Sequence, residues 1–203
     1  MRRPRTARNR RLVLESLEAR WVQSTTPLTS PASDPEKVLA TLQAFTQHYP
    51  SRVGNPQYDP AFDLNHNGQI GQDDGKILLH RLGPISRPVP LNLRISLAPA
   101  DIARGPVPKN SGGVTHKREV SVVGRTTPGA LVFTGTGTID VTLRGPAYVA
   151  DARGNFRIPL KLVDGINQFN VEAVDASGRQ NFRAYPIYWL GFAAYEAAHP
   201  RRS

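Results

Sequence analysis

The sequence predicts a multidomain α + β protein in which a small two-helix unit precedes an all-β sandwich. Apolar residues recur at helical spacing between residues 34 and 83, whereas beyond about residue 90 they alternate with polar ones. The 17 Gly and 18 Pro among 203 residues favour many turns and short strands. Cysteine is absent, which excludes a disulfide framework, cysteine-ligated metals and cysteine nucleophiles.

The first helix is predicted to begin at Asp34, which can cap it, with Pro35 in its first turn. It spans 35–48 and ends before Pro50. Its predicted apolar face comprises Val38, Leu39, Leu42, Phe45 and Tyr49. A second helix is predicted over Asp73–Leu82, with Ile77, Leu78 and Leu82 on its apolar face. Gly83 and Pro84 stop this helix.

The second half of the chain predicts an antiparallel sandwich. Two sets of apolar residues alternate with polar ones: Phe156, Ile158, Leu160 and Leu162, and Phe169, Val171 and Ala173. Turn signals separate the alternating runs at 127–129, 151–155, 164–165 and 175–179. Short strands at this spacing, each with one buried and one wet face, are typical of two packed sheets.

Between the two predicted helices, Asp63–Asp74 reads DLNHNGQIGQDD and places oxygen-bearing residues at alternating positions of one tight loop. The candidate metal ligands are Asp63, Asn65, Asn67, Gln69 through its backbone carbonyl, and Asp74. Gly68 stands where a sharp turn excludes a side chain, and Ile70 is the apolar anchor to the core. This pattern suits Ca²⁺, which takes several oxygen ligands at about 2.3–2.6 Å.

The twelve-residue spacing matches an EF-hand loop, and Asp at its last position resembles the loop of dockerins. The surrounding run YDPAFDLNHNGQIGQDDGKILLHRLG is similar to a dockerin calcium loop with its following helix. Dockerins usually carry two such units, whereas here the plain helix at 35–48 takes the place of the other. The resemblance implies Ca²⁺ as the cofactor and a small helical docking module. Few charged ligands favour weak affinity, about 10⁻⁴–10⁻³ M, and the alternative interpretation is an Asp/Asn/Gly-rich turn.

Residues 117–185 carry a second set of motifs. They are Gly124, Pro128-Gly-Ala130, Asp151-Ala-Arg-Gly-Asn-Phe156, Leu162-Val-Asp-Gly-Ile-Asn167 and Asp175-Ala-Ser-Gly178. This succession resembles bacterial immunoglobulin-like domains of extracellular proteins, which are mostly spacers, adhesive modules or accessory domains. The full prediction is therefore a small two-helix EF-hand/dockerin-like unit plus an all-β immunoglobulin-like sandwich.

The formal net charge of +10 is divided unevenly, with +5 on residues 1–22, −1 on 23–88 and +6 on 89–203. In the last part the Arg residues fall singly, at turns and on polar strand positions, so we expect no nucleic-acid partner. A basic nucleic-acid binder is the weakest of three interpretations. Within the first part, Leu14–Arg20 (LESLEAR) resembles a short N-terminal motif of exported planctomycete proteins; the alternative is a disordered basic tail.

These patterns predict five segments. They are a basic targeting-type segment and linker at 1–33, the calcium module at 34–83, a Pro-rich linker at 84–90, the sandwich at 91–190 and a tail at 191–203. No apolar stretch approaches the roughly 20 residues of a membrane-spanning helix. The chain also lacks the HExxH, GxSxG and GxxxxGK[ST] motifs, so we expect no enzyme activity.

We therefore expect an extracellular or cell-surface protein that acts in docking or adhesion through an unknown protein or a surface glycan. The alternative is an accessory component of polysaccharide degradation, as a carbohydrate-binding or enzyme-associated module. The aromatic cluster relevant to that alternative comprises Tyr185, Tyr188, Trp189, Phe192 and Tyr195. We favour core packing for these rings over an exposed strip that stacks on sugars.

Overall fold

A computed structural model describes residues 34–86, 90–103, 113–136, 143 and 145–189. All of these belong to one compact unit within residues 31–203. The segments predicted at 1–33 and 191–203, and residues 87–89 of the predicted linker, lie outside this set. The described part contains two α-helices and ten β-strands, which is an α + β protein with a β-rich part.

Both predicted helices are present. Helix α1 spans Pro35–His48, and the Asp34 side chain caps it by accepting a hydrogen bond from the Glu36 backbone N–H at 3.1 Å. Helix α2 spans Gln72–Leu82, one residue longer than predicted, and ends at Gly83 with positive φ. The residues buried on these helices are Val38, Leu42 and Phe45 on α1, and Asp74, Gly75, Leu78 and Leu79 on α2.

The strands form three sheets. A two-stranded antiparallel ribbon contains β1 (Ser51–Arg52) and β2 (Gln69–Ile70). A three-stranded antiparallel sheet has the order β3 (Arg94–Leu97), β5 (Glu119–Arg125), β8 (Asn155–Lys161). A five-stranded sheet has the order β4 (Gly113–Thr115), β10 (Gln180–Trp189), β9 (Gly165–Val174), β6 (Leu131–Thr136), β7 (Ala147–Val149). In that sheet β4 runs parallel to β10, and the other neighbours are antiparallel.

The three-stranded and five-stranded sheets contribute side chains to one hydrophobic cluster. Its buried members include Leu97, Val120, Val122, Phe156 and Ile158 from the smaller sheet, and Val132, Phe169, Val171, Ala173 and Ile187 from the larger one. The alternation predicted from the sequence is therefore confirmed on β8 and β9, because its apolar positions face this cluster.

The opposite face of the five-stranded sheet carries the two helices. A second cluster joins apolar residues of α1 and α2 to Leu131, Phe133, Ala147 and Val174 of the sheet. Strand β6 is thus buried on both faces, with Val132 in one cluster and its two neighbours in the other. Gly75 permits the close approach of α2, because a Cβ there would lie 3.0 Å from Leu131 Cδ1 and from Phe133 Cζ.

Polar contacts also join the helical segment to the sheet. The Tyr49 hydroxyl donates a hydrogen bond to the Leu143 carbonyl at 2.8 Å, and Gln72 Nε2 donates to Glu172 Oε2 at 3.3 Å. The sequence predicts residues 34–83 as a module distinct from the sandwich. In the structure the helices of that module lie on the sheet and share a hydrophobic core with it.

We predict that Gly75→Val destabilises the protein by about 1–3 kcal/mol, because the added side chain overpacks the contact between α2 and β6. Urea denaturation monitored by circular dichroism measures the change. Arg81→Val is the matched control, since it places the same β-branched residue at an exposed position of the same helix. An equal loss of stability in both variants would show that valine in the helix, rather than overpacking, is responsible.

Candidate functional site

The β1–β2 ribbon fixes the C-terminal half of the candidate calcium loop. Ser51 pairs with Ile70 and Arg52 with Gln69. The Ile70 side chain is buried in the helical cluster, as its predicted role as an anchor requires. The chain reverses at Gly68, whose φ of 80° falls in the left-handed region that glycine adopts without strain.

Asp63 stands at the start of the loop with its carboxylate turned inward and only 3% exposed. Its Oδ1 accepts a hydrogen bond from the Asn67 backbone N–H at 3.1 Å. Its Oδ2 accepts from the Gly68 N–H at 2.8 Å and from the Tyr58 hydroxyl at 2.6 Å. One carboxylate therefore fixes the turn of the loop and ties it to the preceding segment.

The hydrogen bond between Tyr58 and Asp63 shifts the pKa of both side chains. The hydrogen bond from the Tyr58 hydroxyl, reinforced by those from the backbone of the turn, lowers the pKa of Asp63 below its ordinary value. The same hydrogen bond, with burial and the nearby carboxylates, raises the pKa of Tyr58 to about 12. The pair is thus held as a neutral phenol and an ionised carboxylate at neutral pH.

Asp74, at the other end of the loop, is fully buried. Its Oδ2 accepts from the Gly71 backbone N–H at 2.8 Å, which caps the first turn of α2. Its Oδ1 accepts from the N–H groups of Leu64 and Asn65 at 2.8 and 3.2 Å. Asp74 therefore holds the start of the loop against the start of the helix.

The intervening predicted ligands lie in the same loop. Asn65 Oδ1 accepts from the Asn67 N–H at 3.1 Å, and Asn67 Oδ1 accepts from the Gln69 N–H at 2.8 Å. These side chains are exposed, in contrast to the two buried carboxylates. All five residues predicted as ligands thus lie in one loop, and the side-chain oxygens of four of them, all except Gln69, accept hydrogen bonds from its backbone.

The charge of the two buried carboxylates is not neutralised by a basic side chain of the described residues. The ion pairs found there join Lys117 to Asp101 at 2.9 Å and Arg179 to Asp175 at 2.6 Å. Within the same residues no three or more His, Asp or Glu side chains converge as a metal-binding group. The loop oxygens comprise two carboxylates, two amides and one backbone carbonyl, which are hard donors suited to Ca²⁺ rather than to softer metals.

The aromatic cluster of the last strand divides between core and surface. Tyr185 and Trp189 pack against the cluster between the sheets, and the Tyr185 hydroxyl accepts a hydrogen bond from the Leu97 N–H at 3.0 Å. The guanidinium of Arg118 lies 5.3 Å from the centroid of the Trp189 ring. Tyr188 is partly exposed, while Phe192 and Tyr195 lie outside the described residues. Core packing, which the sequence favours, is confirmed for Tyr185 and Trp189.

The sequence patterns assign no role to Tyr58 and do not predict the close approach of α2 to β6 at Gly75. A tyrosine five residues before an acidic loop has no periodic signature, so only the fold reveals its contact with Asp63. The apolar run Ala130–Phe133 was a usable signal for a strand buried on both faces. Such a strand requires a covering layer, which the helices provide.

We predict an acid-dependent contribution of Asp63 to stability. Its folded-state pKa lies below that of the unfolded chain, so the stabilisation is present above the unfolded value of about 3.9 and is lost as pH falls through the folded pKa. The difference in melting temperature between the wild type and Asp63→Asn, measured in chelator, should therefore shrink from pH 6 to pH 3. A difference that stays constant over this pH range would contradict the prediction.

Neither helix of the described part is long and apolar enough to cross a membrane. No protein-family model matches the chain, and no significantly similar curated protein was found. The loop geometry and the chemistry of its donors therefore carry the functional assignment.

Proposed function

We propose that the chain is a non-catalytic extracellular or cell-surface protein that binds one Ca²⁺ in its dockerin-like loop and acts in docking or adhesion. The observation that carries this proposal is the pair of buried carboxylates, Asp63 and Asp74, in one loop without a basic partner among the described residues. Burying ionised carboxylates is unfavourable unless they are paired or coordinate a metal. A bound cation would compensate both charges at once.

The residues present fit Ca²⁺. Side-chain oxygens of Asp63, Asn65, Asn67 and Asp74 and the backbone carbonyl of Gln69 would hold the ion, which supplies charge compensation and cross-links the loop. In each carboxylate one oxygen, Oδ1 of Asp63 and Oδ2 of Asp74, accepts only one of the hydrogen bonds described above and retains acceptor capacity. Only two of these ligands are charged, which favours weak affinity of about 10⁻⁴–10⁻³ M and hence occupancy where calcium is abundant, outside cells.

The β-rich part would be an immunoglobulin-like sandwich that presents or spaces the calcium unit. Support comes from its sheet orders, β3-β5-β8 and β4-β10-β9-β6-β7, and from the hydrophobic cluster that both sheets share. A first strand pair split between two sheets, with β4 parallel to the last strand, fits this architecture. The fold itself assigns no partner.

Calcium would act on the whole described unit rather than on an isolated loop. Asp74 belongs to α2, and the next residue, Gly75, contacts β6. Cross-linking Asp63 to Asp74 would therefore fix the loop relative to the sheet. This coupling supports a structural and docking role for the ion rather than a catalytic one.

We predict that 10 mM Ca²⁺ stabilises the protein by about 1.4–2.7 kcal/mol if the dissociation constant lies in the expected range. Thermal unfolding of the full chain, with and without chelator, measures the increment. Asp63→Ala should abolish it, because one of the two charged ligands is lost. Magnesium at the same concentration should give much less, since Mg²⁺ demands a tighter octahedral site.

Asp73→Asn is the matched control, because it removes an exposed carboxylate next to Asp74 and should leave the calcium increment intact. An unchanged melting curve of the wild type in millimolar Ca²⁺ would exclude the calcium site. An equal loss of the increment in Asp73→Asn and Asp63→Ala would indicate a general effect of charge on the helix start.

A further inference from the structure

The outer face of the three-stranded sheet, on the side away from the hydrophobic cluster, gathers basic side chains from all three of its strands. We call it the outer face and define it by the outward-pointing residues of β3, β5 and β8. Its exposed charged members are Arg94, Arg125, Arg157, Lys161 and Glu119. Four cations and one acid thus occupy one sheet surface, although they lie far apart along the chain.

Arg94 and Arg125 lie directly opposite each other in the register of β3 and β5. Like charges at such positions repel and destabilise a sheet. No acidic side chain of the described residues forms an ion pair with either guanidinium. The fold therefore holds two cations side by side without internal compensation, an arrangement that an external anion would relieve.

A cleft of about 300 Å³ opens at these two guanidinium groups. It is lined by Pro90, Asn92, Arg94, Arg125 and Thr126. Thr126 is 7% exposed, and its hydroxyl has no hydrogen-bond partner in the described structure. This hydroxyl oxygen is not accessible from the cleft, so Thr126 forms part of the wall without donating to a ligand. The cleft offers guanidinium and amide donors and no acidic side chain.

We propose that this cleft binds a carboxylate or sulfate group of an acidic polysaccharide. Paired guanidinium groups suit an oxyanion, because each presents parallel N–H donors that match two of its oxygens. The site recognises the oxyanion chemistry shared by sulfated and uronic sugars.

A neighbouring cleft of the outer face extends the site toward the next sugar. It has a volume of about 490 Å³, shares Arg94 and Arg125, and adds the apolar side chain of Val123, on which the C–H face of a pyranose can lie. A further cleft of about 490 Å³ on this face is lined by Asp101 and Glu119 as well as by Arg157 and Lys161, so its cations already face carboxylates and it is not part of the anion site.

A glycan fits this surface better than a nucleic acid does. Single-stranded nucleic acids are bound through aromatic rings that stack on bases. Among the lining residues of the three clefts the sole aromatic is Phe156, which is almost fully buried in the core. The choice of a glycan partner rests on the proposed adhesive function, whereas the anion site itself does not depend on calcium.

The proposal is tested by calorimetric titration of the full chain in chelator with dextran sulfate, polygalacturonate, neutral dextran, inorganic sulfate and duplex DNA. Both acidic polysaccharides should bind, and Arg94→Gln and Arg125→Gln should each weaken binding by about tenfold. Arg183→Gln, an exposed arginine of the five-stranded sheet, removes the same charge and should change binding by less than about twofold.

Several results would overturn the proposal. Neutral dextran binding as tightly as the acidic polymers would exclude an anion site, and tighter binding of duplex DNA would replace the glycan with a nucleic acid. Equal losses of affinity in Arg183→Gln and Arg125→Gln would show that binding depends only on the net charge of the protein. Inorganic sulfate binding as tightly as the polymers would identify a site for small anions. Since calcium is absent throughout, failure of the calcium loop cannot produce any of these outcomes.

Discussion

Burial of β6 on both faces is the constraint on which the other elements depend. Leu131, Val132 and Phe133 are completely inaccessible to solvent, with the middle residue facing one sheet and its neighbours facing the helices. Burial of such side chains contributes about 1.5–3 kcal/mol each. Because these contacts lie on opposite faces of a single strand, β6 couples the cluster under the helices to the cluster between the sheets. Gly75 allows α2 to approach this strand, since any larger residue would meet it at 3.0 Å.

This packing sets the geometry of the candidate calcium loop. Helix α2 is fixed against β6, and its first turn carries Asp74, which holds the backbone of Leu64 and Asn65. From the other side, Tyr58 and the turn at Gly68 hold Asp63. The oxygens of the loop are therefore held in place by the fold, so an ion that bound there would require less ordering of the loop. A docking surface built on this loop would share the rigidity of the sheet.

Local features of the fold and of the candidate site were predictable because their determinants are local. The cap at Asp34, the stop at Gly83 and the alternation on β8 and β9 each depend on a few neighbouring residues. The loop residues from Asp63 to Asp74 likewise lie close together in the sequence. Strand pairing, the identity of the elements that cover β6 and the contact of Tyr58 with Asp63 were not predictable, because residues that are far apart in the sequence determine them.

The arginine residues show most clearly what depends on the sequence alone and what depends on the tertiary structure. The sequence by itself determined the alternation that turns Arg157 to a polar strand position, and it placed the acidic loop in a near-neutral segment. Along the chain Arg94, Arg125 and Arg157 are single and scattered. Only the tertiary structure decided that they share one sheet face, because hydrogen-bonded register brings together strands that begin 25 and 61 residues after β3. The density of charge on this sheet face depends on the strand register, which no local sequence pattern specifies.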